Sequence, residues 1–210
     1  MIVFNDEILF VHNPKTAGTS LIQYLASTLP GEVRVAGVQE IGTYHPHLSR
    51  SVDYAQKIVG NRGFKKILAV IRNPFDREVS MYTYFRDVLY ASPSLKTDLP
   101  DMAMQRRVAK CAELDFKSYL KWLWREEGTI DVWRSELFYK RADGSSIDAL
   151  RILKFESLEA DLAKALDLQT VQLPKTNSSN RGPTADYYNE ETTEIVRTSY
   201  EWVFNQGFYV

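Results

Sequence analysis

Two short, uninterrupted apolar runs organise the chain. Residues 8–12, Ile-Leu-Phe-Val-His, lie between the charged pair Asp6-Glu7 and the breaker Asn13-Pro14. Residues 67–71, Ile-Leu-Ala-Val-Ile, end at Arg72-Asn73-Pro74. Runs of this length that do not alternate with polar residues predict strands buried on both faces, as in a parallel sheet. After the first run comes a small-residue loop, and then Leu21, Ile22, Tyr24 and Leu25 predict the packed side of a helix. After the second, Pro74 suits a first helical turn and predicts a helix from about residue 75 to about 90. Strand, loop, helix is the opening of a nucleotide-binding α/β unit.

The remaining pattern is less even. The stretch 31–63 predicts a short strand near 33–36 and a helix near 49–59. Residues 91–112 carry two prolines and mixed polarity, which predicts an insertion or lid. Phe116, Leu120, Leu123 and Trp124 recur at i, i+4, i+7 and i+8, an amphipathic helix. A strand over 150–155 follows, and Leu158, Leu162 and Leu166 mark another helix. A polar loop over 173–188 leads into a helix from 189 to about 205. Glu190, Glu191 and Glu194 lie near its start, where the helix dipole favours negative charge. Alternating strands and helices without a linker or repeat predict one α/β domain over 1–210, a three-layer arrangement with a mostly parallel sheet flanked by helices. The pattern leaves strand order open.

Composition narrows the function. The 210 residues hold 26 Lys and Arg against 27 Asp and Glu, a formal charge of −1. No global basic field exists to capture nucleic acid or an anionic membrane, so any anion site must be local. The single cysteine, Cys111, supports neither an internal disulfide nor a zinc cluster. No stretch approaches the ~18 apolar residues of a membrane span, and Asp6 and Glu7 interrupt what would be a signal peptide's apolar core. A cytoplasmic location is expected. Oligomeric state has no signature.

The loop Asn13-Pro-Lys-Thr-Ala-Gly-Thr-Ser20 sits where a phosphate would bind. Gly18 lets backbone approach an anion, the first-turn amides of the helix lie at its positive end, Lys15 adds charge, and Thr16, Thr19 and Ser20 add hydroxyls. This is not a Walker A loop, whose lysine follows the last glycine, and a strand-to-helix turn with a good N-cap would use the same residues. A second cluster, Arg72-Asn73-Pro74-Phe75-Asp76-Arg77-Glu78-Val79-Ser80, begins at the C-terminal end of the second predicted strand. Ligands in open α/β sheets bind at that edge. Arg72 can fork onto a phosphate and Ser80 can donate a hydroxyl, although an ion pair for Arg72 and a solvated helix face for Ser80 also fit. Two anion-competent loops at one edge suit a ligand with two separated phosphates.

Taken together, these motifs give the chain a family resemblance. Pro14-Lys15-Thr16-Ala17-Gly18-Thr19-Ser20 resembles the 5′-phosphosulfate loop of sulfotransferases that use 3′-phosphoadenosine 5′-phosphosulfate (PAPS), and Arg72-Asn73-Pro74 through Ser80 resembles their 3′-phosphate motif. Leu173-Pro174 with Asn177 and Ser178, then Tyr187-Tyr188 and Gly207-Phe208-Tyr209, extend the resemblance to the smaller, carbohydrate-type members, with a loose acceptor-facing middle. The resemblance implies a P-loop-like fold. It implies that Lys15 contacts the bridge between 5′-phosphate and sulfuryl group. It also implies that Thr16, Ala17, Gly18, Thr19 and Ser20 hold the 5′-phosphate, that Arg72 and Ser80 hold the 3′-phosphate, and that the loop carrying Asn177, Ser178 and Arg181 covers the nucleotide.

Sulfuryl transfer also needs a base for the acceptor hydroxyl, and an imidazole with a reference pKa of ~6.5 suits that task. Of three histidines, His12 ends the first strand and reads as structural. Tyr44-His-Pro-His47 resembles the histidine-bearing segment of uronyl-type carbohydrate sulfotransferases, which implies His47 as base and His45 as auxiliary. Glu40 is the runner-up. The expected donor is PAPS, the product 3′,5′-adenosine bisphosphate (PAP), the acceptor a hydroxyl of a saccharide or glycoconjugate, and no metal is expected. Arg106, Arg107 and Lys110 on one helical face could attract an anionic sugar, although a solvated face fits better. Trp124 suits the core by its spacing, whereas Trp122 and Trp133 carry no assignment. The alternatives are a P-loop small-molecule kinase, which would show Gly-Lys-Ser/Thr and a metal-holding carboxylate, or a nucleotide-binding module without chemistry.

Overall fold

In a computed structural model, which describes residues 2–36, 52–53, 60, 63–92, 102–141, 143–174 and 181–210, the two apolar runs are adjacent strands of one sheet. The strands are β1 (Ile2–Phe4), β2 (Ile8–Val11), β3 (Arg34–Ala36), β4 (Lys66–Ile71) and β5 (Leu150–Lys154), in the order β3-β1-β2-β4-β5. β2 pairs parallel with β4, and β4 with β5. The C-terminal ends of these three strands therefore lie at one edge, with Val11 opposite Ala69 and Ile71 opposite Lys154. β1 adds an antiparallel hairpin on β2, and β3 pairs antiparallel with β1. At three residues, β1 is too short to register as a strand in the hydrophobic pattern. Its hairpin is set by Asn5, whose Oδ1 accepts from the Glu7 and Ile8 amides at 2.9 and 2.7 Å, an Asx turn between two apolar runs.

The chain packs as two compact units, one of residues 1–72 with 134–177 and one of residues 73–133 with 178–210. In the first, α1 (Gly18–Thr28) and α5 (Leu158–Leu166) cover one face of the sheet. Ile8, Phe10, Leu68, Val70 and Leu153 meet Leu21 and Leu25 of α1 and Leu158 and Leu162 of α5. On the other face Leu9, Val11, Ile67, Ala69 and Ile71 are buried as well. Both faces of β2 and β4 are thus removed from water, as unbroken apolar runs require, and each of the larger apolar side chains contributes roughly 1.5–3 kcal/mol.

The second unit is helical. α2 (Pro74–Tyr84) starts on Asn73, whose side chain accepts from the Phe75 amide at 3.0 Å, with proline at the first helical position, and passes into a π-helical turn, Phe85–Leu89. α3 (Met102–Glu113) lies largely within the stretch 91–112 for which an insertion or lid is expected. Met104, Val108 and Cys111 form one buried stripe, a helical spacing that the upstream prolines obscure; residues 93–101 lie outside those described. α4 (Phe116–Glu127) is capped by Asp115 and closed by Gly128 in the left-handed region. The helix expected over 189–205 is two, α6 (Glu190–Ser199) and α7 (Glu201–Asn205). Tyr200 leaves helical geometry between them and is buried. Of the helix expected near 49–59, only residues 52 and 53 are described, and they are helical.

No described helix is long and apolar enough to cross a membrane.

Candidate functional site

The C-terminal edge of β2, β4 and β5 brings together three segments of the first unit. The 13–20 loop follows β2, Arg72 follows β4, and Phe155 follows β5. Arg72 donates from Nη1 to the Lys15 carbonyl at 2.8 Å across 57 residues of sequence, and its guanidinium carbon lies 4.0 Å above the centre of the Phe155 ring. The two motifs identified in the sequence are therefore joined through Arg72 and Lys15.

The loop itself is unusual backbone. Lys15 and Ala17 take φ of 65° and 61°, left-handed conformations that cost a non-glycine residue of order 1–3 kcal/mol. Cross-links offset that strain. Thr16 is fully buried and donates its hydroxyl to the Asn13 carbonyl at 2.7 Å. Asn13 donates from Nδ2 to the Tyr139 phenol at 2.7 Å, and that phenol donates to the Val70 carbonyl of β4 at 2.7 Å. The helix N-cap is Ala17, which offers no side-chain acceptor. The good N-cap that would make this an ordinary strand-to-helix turn is thus missing, which leaves the positive end of α1 suited to an outside anion.

Gly18 has a second reason to be glycine. Its φ is not in the left-handed region. A methyl there would lie 1.9 Å from both Cδ2 and Nε2 of the His12 ring, so the imidazole occupies the place of a side chain. We expect Gly18→Ala to destabilise the protein by roughly 1–3 kcal/mol through overpacking. His12→Ala in the same chain should recover most of that loss in urea denaturation. Additive losses in the double variant would show that the two residues do not compete for this space.

The other expected site residues fall as follows. Lys15 and Ala17 are half-buried, Ser20 is buried, and Thr19 is exposed. Ser80 belongs to the second unit, where it is buried on α2 rather than on a solvated face. Arg181, also in the second unit, donates from Nη2 to Asp76 Oδ1 at 2.5 Å and from Nη1 to the Asp76 carbonyl at 3.0 Å, and Thr184 donates to the same carboxylate at 2.7 Å. The end of the polar loop is thereby tied to the first turn of α2. His45, His47, Glu40, Asn177 and Ser178 lie outside the described residues. Comparison of the chain with protein-family models, with curated proteins and with solved structures finds no match in any of the three.

Arg106 and Arg107 pair with Glu126 and Glu127 at 2.9 and 3.0 Å, and Lys110 pairs with Glu113. Their charge is matched locally, which removes the reason to expect an anionic sugar there. Among the tryptophans, Trp122 and Trp133 are buried while Trp124 is only half-buried. The core face of α4 is Phe116, Tyr119, Leu120, Trp122 and Leu123, which keeps Phe116, Leu120 and Leu123 of the predicted set and takes Tyr119 and Trp122 in place of Trp124.

The sequence pattern assigns no individual role to Tyr139, Asn13 or Phe155. Asn13 and Tyr139 are 126 residues apart, and no local pattern connects them. Phe155 had a visible signal, since it directly follows a strand of the parallel set and so belongs to the ligand edge.

Proposed function

We propose that the protein is a PAPS-dependent sulfotransferase acting on a hydroxyl of a saccharide or glycoconjugate, in a P-loop-like α/β fold with helices layered on the sheet. The observation that carries this reading is the Arg72–Lys15 contact at the C-terminal edge of the parallel strands, supported by an uncapped helix N-terminus beside a lysine-bearing loop. The residues present fit a bisphosphorylated donor. The α1 terminus, with Lys15 and Ser20, offers charge and donors to a 5′-phosphosulfate. Arg72 is a planar cation at the same edge, suited to a second phosphate.

In the proposed reaction the acceptor oxygen attacks sulfur, the bond from sulfur to the bridging phosphate oxygen breaks, and PAP leaves with the added negative charge. Lys15 and the α1 amides are arranged to stabilise that charge without reorganisation. Anchoring the donor at both phosphates supplies the in-line geometry. The acceptor proton passes to a base, for which His47 assisted by His45 is the proposal and Glu40 the runner-up.

The test is calorimetric titration with PAP, 5′-AMP and Mg-ATP. The reading expects PAP to bind without magnesium at least ~10-fold more tightly than AMP, a charge-assisted phosphate contact contributing on the order of 1.5–3 kcal/mol. Preference for Mg-ATP, or indifference to the 3′-phosphate, would replace this proposal with a kinase. PAP binding without any turnover across acceptors would leave a nucleotide-binding module.

A further inference from the structure

Arg72 is held from two sides within the first unit. It stands immediately after β4, is only 9% exposed, and its planar fork is held over the Phe155 ring, 4.0 Å from the centroid. Its Nη1 bond ends on the carbonyl of Lys15, the residue whose own φ of 65° makes it a strained point of the loop. A guanidinium stacked on an aromatic face loses little further freedom when it donates hydrogen bonds, and a lysine cannot reproduce both the stack and the fork. A bond from a buried cation to a carbonyl is among the stronger hydrogen bonds a protein makes. It acts here on the peptide that decides where the Lys15 side chain leaves the loop.

We propose that Arg72, braced by Phe155, is a positioning residue for Lys15, clasping the left-handed peptide of the phosphate loop whether or not the ligand carries a 3′-phosphate. The proposal rests on the donor assignment above and adds to it. Under that assignment alone Arg72 reads the 3′-phosphate and nothing else. With the clasp, one guanidinium carries two tasks, and its loss disturbs both ends of the donor. Phe155 acquires a role through Arg72 without touching ligand.

The decisive probe is adenosine 5′-phosphosulfate, which keeps the 5′ end of the donor and has a 3′-hydroxyl. Calorimetry would compare its affinity and that of PAP in wild type, Arg72→Ala, Arg72→Lys and Phe155→Leu, with thermal midpoints as the folding control. The clasp predicts that adenosine 5′-phosphosulfate binding weakens about 10-fold in Arg72→Ala, and measurably in Arg72→Lys and Phe155→Leu. Unchanged affinity for this probe in Arg72→Ala, with PAP alone weakened, would confine Arg72 to the 3′-phosphate and overturn the proposal. Amide hydrogen exchange of the ligand-free proteins supplies a readout independent of the donor. Exchange across residues 13–21 should rise about 10-fold in Arg72→Ala, while exchange in α5 stays at the wild-type level. If wild type binds neither nucleotide, the sulfotransferase reading fails by itself, and the exchange result decides the clasp: unchanged protection of 13–21 rejects it.

Discussion

Replacing Lys15 with alanine is expected to lower turnover with PAPS by about 10²- to 10³-fold, while the affinity for PAPS itself changes by less than about 10-fold. The asymmetry follows from where charge develops. In the ground state the sulfuryl group shares the donor's charge, and only as the sulfur–oxygen bond lengthens does the bridging oxygen need a cation. An interaction of that kind raises kcat rather than ground-state binding. Backbone strain does not confuse the comparison, because lysine and alanine carry similar penalties at the left-handed φ of 65°. The measurement is single-turnover sulfuryl transfer alongside calorimetric PAPS binding in the absence of acceptor. Turnover within tenfold of wild type would remove Lys15 from the chemistry, whatever its contribution to binding.

The second large effect concerns stability, and it arises in the helical unit. Arg77, Glu78, Asp131 and Tyr200 are all buried. Arg77 Nη1 donates to the Tyr200 phenol at 2.5 Å and lies 3.7 and 3.5 Å from Glu78 and Asp131 carboxylate oxygens. The Tyr200 phenol in turn donates to Glu78 Oε1 at 2.5 Å. One guanidinium faces two carboxylates in a buried site. Burial therefore pushes the Glu78 carboxyl up to about 7, against the pull of Arg77 and of the Tyr200 hydrogen bond, with Asp131 adding to the rise.

The folded-state value of Glu78 lies above its unfolded value. Its contribution is therefore fully present below the unfolded carboxylate range and is lost as pH rises through about 7. Arg77→Met removes the cation that moderates this cost, and should destabilise the protein by about 3–5 kcal/mol at pH 8. The loss should be distinctly smaller at pH 5.5, where Glu78 takes up a proton. Glu78→Gln should flatten the wild-type slope between pH 5 and 7.5. Urea denaturation at the two pH values checks both. A loss in Arg77→Met that does not depend on pH would mean that Glu78 is not the titrating partner.

The buried helix face that carries this cluster shows why sequence patterns reached some of the architecture and not the rest. Ser80 fits a solvated helix face by sequence, and Arg77 and Glu78 beside it are polar as well. In the structure, residues 77 to 83 of α2 are all buried. Polar residues become core residues only when partners from α6–α7 and the 128–133 segment satisfy them, and those partners are contributed by distant sequence. The same applies to α4, where a shift of the packed face exchanges Trp124 for Trp122.

The local features were legible because their physics is local. Unbroken apolar runs must be buried on both faces, which by itself determined β2 and β4. Pro74 after Asn73 determined where α2 starts, and the spacing of Leu158 and Leu162 determined the packed side of α5. The pattern of residue types likewise placed an anion-competent loop after the first run and an arginine after the second. Tertiary structure decided what joins them. Pairing order put β2 beside β4 and β4 beside β5, and hydrogen bonding to Tyr139 and Arg72 stabilised backbone at Lys15 and Ala17 that neither residue type favours alone. Those terms act between residues separated by tens to more than a hundred positions, where closing the chain and burying the partners sets the geometry. No periodicity encodes them.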